Sequence, residues 1–417
     1  MDPGIPSAPT NTTETLTPSP PTLRWLPGLA LIAGLVALVL GLLAGGLFIW
    51  LWLAGRREAD ALSMATLGVS IAAMGLGLGG GLAWIGYRSL RARPSAPFRP
   101  GAVWLGGCLG TWLLALVLGQ VSLSLDRLAP LLFPPFHLLG MALPALGMLA
   151  LVGYGLRQSS PAPSRRQVLG QIAWGALGAT LIAFTLEALA AALGLVVVVV
   201  IIALRPDGPA QLASLQAMLA DPSQLADPQR LAAWLLKPEI ILSVAGLLVI
   251  VAPLVEEGVK SLGVPLLSLG GGRRPSLAQG WVWGMAAGAG FAVVEGVFNS
   301  TASLPFWAGI VLLRGSATAM HLITAGLSGL GWAATLTSRR PLPLVGSYLA
   351  SVTLHSLWNG LTVLVVVASL WMMAHPGDPV GVVGVLPGLT GLVLLAGVLV
   401  GVAAWITLWL RHSQHPA

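Results

Sequence analysis

Apolar residues run along this chain in blocks of membrane-spanning length, at about residues 27–54, 62–87, 102–124, 135–156, 168–204, 239–269, 277–302, 306–336, 342–373 and 379–410, separated by short polar stretches. A helix needs roughly 20 apolar residues to cross the hydrocarbon of a bilayer. The pattern therefore predicts ten transmembrane helices and an all-α, polytopic bundle. The fifth block is longer than a crossing requires, long enough to tilt, to project beyond the bilayer or to break near Gly194. Residues 1–23 differ in kind. They are rich in Pro, Ser and Thr, too poor in apolar residues to fold, and without the basic start, short apolar core and small-residue cleavage site of a signal peptide. We read them as a disordered tail. The organisation that follows is a tail over 1–23, about five helices over 24–204, an external loop over 205–238, a core over 239–373, and a last helix with a short tail over 374–417.

Composition excludes a soluble domain. Only 8% of the residues are charged and 56% are hydrophobic, whereas soluble domains run near a quarter charged. A net charge of +7 invites a nucleic-acid reading, but the arginines sit in short loops rather than on one face or in one run. With the N-terminus inside, Arg24, then Arg88, Arg91, Arg93 and Arg99, then Arg157, Arg165 and Arg166, then Arg273 and Arg274, then Arg339 and Arg340, and finally Arg411 share one side. The excess of basic residues marks that side as cytoplasmic and places both termini there. Arg56, Arg57, Arg127, Arg205, Arg230 and Lys237 fall on the other side. The loop over 205–238 carries two amphipathic pieces, at 212–219 and 231–236, suited to lie on the outer surface. Cys108, the single cysteine, rules out an intramolecular disulfide and a thiolate metal cage.

Against this apolar background four successive spans carry acids, a base and imidazoles: Glu256, Glu257 and Lys260 in the sixth, Glu295 in the seventh, His321 in the eighth, His355 with Asn359 in the ninth. Ionisable groups at membrane depth are costly unless they meet one another or water, so such a set is a functional-site hypothesis by default. At about 1.5 Å per residue the four levels lie roughly 20–27 Å from one membrane face. Glu256 and Lys260 are spaced for a same-face ion pair, which leaves Glu257 turned aside and free. Phe291, Glu295 and Asn299 share one face, as do His355 and Asn359. Gly280, Gly284 and Gly288 form a ridge that lets another helix come close, and Gly326 and Gly329 do the same on the next span. Taken singly, Glu187, Arg314 and His137 read equally well as interhelical glue, while Arg314 stands two turns from His321 on its face and Glu187 is the strongest candidate outside the four segments.

The order EExxK, FxxxE, a lone His and HxxxN resembles the PrsW family of intramembrane proteases, and more distantly the CAAX prenyl endopeptidase and Abi group, where EExxxR, FxxxH and HxxxN are usual. The resemblance covers about residues 240–370. It implies that Glu256 and Glu257 are the signature acids, Lys260 their cation, Glu295 the second-helix acid, His321 the third-helix imidazole, and His355 with Asn359 the fourth-helix pair. Glu295 stands where the CAAX group has histidine. The resemblance further implies a bacterial cytoplasmic (inner) membrane and a single-span membrane protein, such as an anti-sigma factor, as substrate.

Peptide hydrolysis in a membrane needs an activated water, donors for the developing oxyanion and a cavity that admits water. On this reading Glu256 or Glu257 takes the proton of a water also held by His355. Asn359, with His321, faces the oxyanion. Lys260 keeps the acid pair ionised, and Glu295 orients an imidazole or protonates the leaving amine. No cofactor is required. The alternative uses zinc, with Glu256, His321 and His355 as its ligands; the lack of HExxH and the nearness of Lys260 favour the metal-free version. A proton-coupled transporter and a non-catalytic membrane scaffold are the rivals from other classes. The chain shows no second EExxK-like segment, which a transporter built from two related halves would carry.

Overall fold

The computed structural model describes residues 25–55, 61–221, 227–269, 274–301 and 304–413. The tail over 1–23, and Arg24, Arg56, Arg57 and Arg273 of the charge argument, lie outside the described residues. Among those described there is no strand, and ten helices are long and apolar enough to cross a membrane. They are α1 (Trp25–Ala54), α2 (Ala61–Leu90), α3 (Ala102–Leu123), α4 (Asp126–Gly155), α5 (Arg165–Ala203), α8 (Pro238–Leu269), α9 (Leu277–Thr301), α10 (Trp307–Ser338), α11 (Leu342–Ala374) and α12 (Val380–His412). Two short helices, α6 (Gly208–Ala220) and α7 (Pro228–Leu235), form the connection between α5 and α8, where the amphipathic pieces are expected.

The long fifth span is one continuous rod. The irregularity lies not at Gly194 but at Trp174–Ala179, a π-helical stretch followed by unbroken α-helix over Thr180–Ala203. The apolar pattern does not reveal it, because a π-turn changes the hydrogen-bond register and not the hydrophobicity.

At the centre stands α9, buried along most of its length, from Trp281 to Val297. It meets α10 through the glycine ridge. A Cβ placed on Gly284 would collide with the carbonyl oxygen of Ala325, and one on Gly288 with that of His321. Small residues at such a crossing let two backbones touch, which is how helices associate where lipid removes the hydrophobic incentive. Gly288→Val is therefore expected to cost about 1–3 kcal/mol of stability as an overpacked contact. Its effect on activity should be larger than on folding, since the backbone it displaces is that of His321; a variant that melts lower yet hydrolyses at the parental rate would refute this.

Around α9 and α10 the other helices form a shell. Met285, Met320, Leu322, Ile323, Leu399 and their neighbours make the main apolar core. At the far end, His137 of α4 joins the core by accepting from the Trp307 indole N–H at 3.0 Å and reaching the Val297 carbonyl at 3.2 Å, with Phe133 edge-on to Trp307. Both ring nitrogens are thus used, and His137 is the interhelical glue that its isolation allows. By contrast α1 buries only Pro27, Gly34 and Gly45 and packs on α2 through its glycine face, leaving most of its large apolar side chains exposed.

Candidate active site

Local structure in α8 sets the site. The span holds a π-helical stretch, Gly246–Val251, in which the amide of Ala252 reaches back to the Leu247 carbonyl. The next carbonyl in that register, Leu248, would look to residue 253, a proline with no N–H. Asn359 of α11 fills the vacancy, donating its Nδ2 hydrogen to the Leu248 oxygen at 2.7 Å. Three more side chains hold α8 by its carbonyls: Tyr348 at Leu254 (2.7 Å), Trp174 at Val259 (3.1 Å) and Gln171 at Gly263 (2.7 Å). The rotation of α8, and with it the direction of Glu256 and Glu257, is fixed by neighbours on both sides.

On that helix Glu257 and Lys260 are fully buried, and Glu256 is 6% exposed. The Lys260 ammonium lies 2.6 Å from Glu257 Oε1 and 3.3 Å from Glu256 Oε2, with its Nζ 4.6 Å from the centre of the Phe291 ring. This corrects the expected division of labour. An (i, i+3) pair shares a helix face as well as an (i, i+4) pair does, so Lys260 takes Glu257 more tightly than Glu256. Glu257, expected to be free, is the most constrained acid of the set: its Oε1 also meets His355 Nδ1 at 2.8 Å and accepts from the Thr324 hydroxyl at 3.0 Å. Among the described residues, the one contact of Glu256 under 3.5 Å is with Lys260.

The imidazoles close the cluster. His321 Nε2 is 2.6 Å from Glu295 Oε2, and its Nδ1 is 3.0 Å from Lys260 Nζ and 3.8 Å from Glu256 Oε2. An ammonium only donates, so Nδ1 of His321 accepts from Lys260, while its Nε2 stands at ion-pair distance from Glu295. In His355 the Nδ1–H donates to Glu257, which leaves the Nε2 lone pair 3.9 Å from Glu256 Oε2. The two rings stand edge to face, 5.0 Å apart. Glu295 is itself bracketed, by Arg314 Nη2 at 3.1 Å on Oε2 and by Asn299 Nδ2 at 2.9 Å on Oε1.

Six of the seven residues singled out by sequence thus converge: Glu256, Glu257, Lys260, Glu295, His321 and His355. Asn359 sits one turn beyond His355 with its amide turned to Leu248. Sequence reading missed Thr324, whose position three residues after His321 on the same face was the available signal. Arg314, left there as interhelical glue near the face of His321, is an ion-pair partner of Glu295. Glu187 of α5 lies within electrostatic reach of Glu256, Glu295 and Lys260, and its Oε1 is buried without a hydrogen-bond partner.

Glu256, His321 and His355 each offer one ligand atom, and these atoms lie within 4.8 Å of one another. The donor set suits a metal ion in a specific way. Metal-bound histidine usually gives its second N–H to a carboxylate or carbonyl, which fixes the ring and raises its basicity. Both imidazoles here have that arrangement already, His321 on Glu295 and His355 on Glu257, each turning its remaining nitrogen toward Glu256. The residues fit a metal of the kind that accepts nitrogen and oxygen ligands. One feature competes: the Lys260 ammonium holds the His321 lone pair that an ion would use.

Comparison with curated proteins and with solved structures gives no match. Residues 163–392, more than half of the chain, match the family described as PrsW family intramembrane metalloprotease. That description, with the three-donor group, leans toward the metal-dependent alternative and away from the metal-free version preferred on sequence. It also sets aside the transporter and the scaffold. By its sequence across the site-bearing helices, the chain belongs to the PrsW family of intramembrane metalloproteases and is a membrane-embedded peptide hydrolase.

Proposed function

We propose that this protease cleaves single-span membrane proteins at the centre formed by Glu256, His321 and His355, and that these three hold a divalent ion of the zinc class. The observation that carries the proposal is the pair of imidazoles, each anchored by its own carboxylate and each presenting its other nitrogen to Glu256 within 3.9 Å. A metal ion bound there would supply Lewis-acid polarisation of the scissile carbonyl and lower the pKa of a water molecule.

The chain's own groups account for the proton. Hydrolysis adds the water oxygen to the carbonyl carbon, and one water proton must leave and later reach the amine nitrogen as the C–N bond breaks. Glu256 is the acid placed for that transfer, being the least tied of the three and the one that both imidazoles face. Glu257, beneath Lys260, Thr324 and His355, serves to orient His355. Lys260 places a positive charge between the adjacent acids, at 2.6 Å and 3.3 Å, and so offsets their mutual repulsion. Asn359 spends one amide hydrogen on Leu248 and keeps a second for the developing oxyanion. A bacterial cytoplasmic membrane and an anti-sigma factor are the setting and substrate class to which the sequence resemblance points.

A second reading, without metal, draws on Lys260. At 3.0 Å from His321 Nδ1 its ammonium already stands where a cation is wanted, and Glu256 then activates water held by His355 alone. The experiment is cleavage of a single-span substrate by purified protein in liposomes, before and after stripping with a chelator, with elemental analysis of the stripped protein. Loss of cleavage on stripping, restored by zinc, is the expected result. Full cleavage by protein shown to be metal-free would establish the second reading, and a parent protein that never cuts any single-span substrate would overturn this choice of substrate.

A further inference from the structure

The cluster contains one strong cation that the sequence motifs do not claim. Arg314 lies on α10 seven residues before His321, two turns away on the same face. Its Nη2 is 3.1 Å from Glu295 Oε2, the same oxygen that stands 2.6 Å from His321 Nε2, while Asn299 donates to the other oxygen at 2.9 Å. The Arg314 side chain is 15% exposed and that of Glu295 18%, so this chain of contacts is partly shielded from water.

We propose that Arg314 is a positioning residue for His321, acting through Glu295. The inference rests on the reading of His321 as a ligand or water-holding group and adds the part that fixes its ring. His321 can turn Nδ1 toward Glu256 only while Nε2–H is held from behind. Glu295 alone is a poor holder, because a carboxylate on a glutamate side chain has three torsions to fix. Arg314 restricts that freedom: its planar guanidinium, which keeps its charge, lies 3.1 Å from Oε2. Asn299 donates to Oε1, and on Oε2 the guanidinium of Arg314 and the Nε2 of His321 stand at ion-pair distance from the same oxygen, so the carboxylate is confined from both sides. The result is a relay Arg314, Glu295, His321 that spans two turns of α10 and passes through α9. A mirror arrangement serves the second imidazole, where Lys260 and Thr324 hold Glu257, and Glu257 holds His355.

A direct contact with substrate is the competing role for Arg314, since its Nε and Nη2 are both buried without a hydrogen-bond partner. The two roles separate in a double-mutant cycle. Purified parent, Arg314→Gln, Arg314→Lys, Glu295→Gln and the double variant Glu295→Gln/Arg314→Gln are compared in liposomes for kcat, KM and zinc affinity, the last measured by competition with a chromophoric chelator. Removing the carboxylate that backs a metal-binding histidine, as in Glu295→Gln, should lower zinc affinity and kcat by roughly 10–100-fold, and Arg314→Gln, one contact further out, should give a loss in the same two quantities of up to that size, with KM nearly unchanged. Arg314→Lys should recover part of the loss, because it retains the charge. The double variant should be no worse than Glu295→Gln alone, as expected for residues that act in series. Should Arg314→Gln not fold, the Lys variant still decides, by a several-fold fall in zinc affinity. The proposal is overturned if Arg314→Gln raises KM while leaving zinc affinity at the parental value, if its loss multiplies with that of Glu295→Gln, or if it is silent. A parent that binds no zinc and cleaves nothing would instead refute the reading of the site on which this one depends.

Discussion

Glu256→Gln, His321→Ala and His355→Ala are each expected to lower the cleavage rate of a single-span substrate by about 10³-fold or more, and combining any two should cost little beyond the worse single change. The non-additivity is the diagnostic part. The three side chains present their ligand atoms to one another within 4.8 Å and act on the same water, so removing one leaves the others without a task. Glu256→Gln is the cleanest test, because it preserves shape and leaves Lys260 paired with Glu257 at 2.6 Å. Its fold should therefore persist, as checked by gel filtration and melting in detergent. Glu257→Gln should behave differently. That carboxylate receives Lys260, His355 and Thr324 on one oxygen, and the amide would leave a buried ammonium with a weaker partner, so lost stability should accompany lost activity. If Glu256→Gln folds and still cuts at the parental rate, Glu256 is not the acid of the reaction.

The ten spans were legible in the sequence because each is an apolar run longer than a bilayer is thick, a property that no tertiary contact can disguise. The common level of Glu256, Glu295, His321 and His355 was legible for a related reason. Helix rise is constant, so counting residues gives depth, and the structure brings these side chains within 4 Å of their neighbours. Rotation about each helix axis was less accessible. Spacing placed Lys260 on the face of Glu256, yet Glu257 is only one step round, and the closeness of α10 and α11 draws the ammonium toward it. Nothing local says that Asn359 turns to Leu248. That contact needs both the π-stretch at Gly246–Val251 and the missing N–H of Pro253, and the π-stretch is a product of packing. The irregularity in α5 falls at Trp174–Ala179 for a comparable reason. There Trp174 and Gln171 reach across to carbonyls of α8, whereas Gly194 meets no neighbour within 4 Å and has no cause to break the rod.

Those side-chain grips on α8 also bear on how a polar centre survives at membrane depth. Five ionisable groups, Glu256, Glu257, Glu295, Lys260 and Arg314, are arranged so that each of these carboxylates has a basic side chain within 3.3 Å. An isolated charge in hydrocarbon is prohibitive, while a paired and hydrogen-bonded set is tolerable. The catalytic groups are thus also the main polar tie among α8, α9, α10 and α11, and stability and activity draw on the same contacts.

Lys260→Met separates the two, and its expected outcome has opposite signs. In metal-free protein the change strands two acids beside each other, Glu257 fully buried and Glu256 nearly so. Removing one partner of a buried ion pair destabilises by about 3–5 kcal/mol, visible as a lower unfolding midpoint in detergent with a chelator present. Methionine keeps most of the volume of the lysine stem, so the loss reports charge and not a cavity. Zinc affinity should move the other way. In the parent, the ammonium holds the His321 Nδ1 lone pair at 3.0 Å and stands 3.3 Å from Glu256. A divalent ion has to compete with it at two of its three ligands. Without Lys260 that competitor is gone and the site carries one more net negative charge, so zinc should bind at least about 10-fold tighter, equivalent to some 1.4 kcal/mol. Ligand that binds only the folded state stabilises it in proportion to the logarithm of its saturation. The gap in unfolding midpoint between Lys260→Met and parent should therefore narrow as zinc is added. If the variant binds zinc no better than the parent, the ammonium and the metal do not share a place, and the assignment of Glu256, His321 and His355 as ligands is wrong.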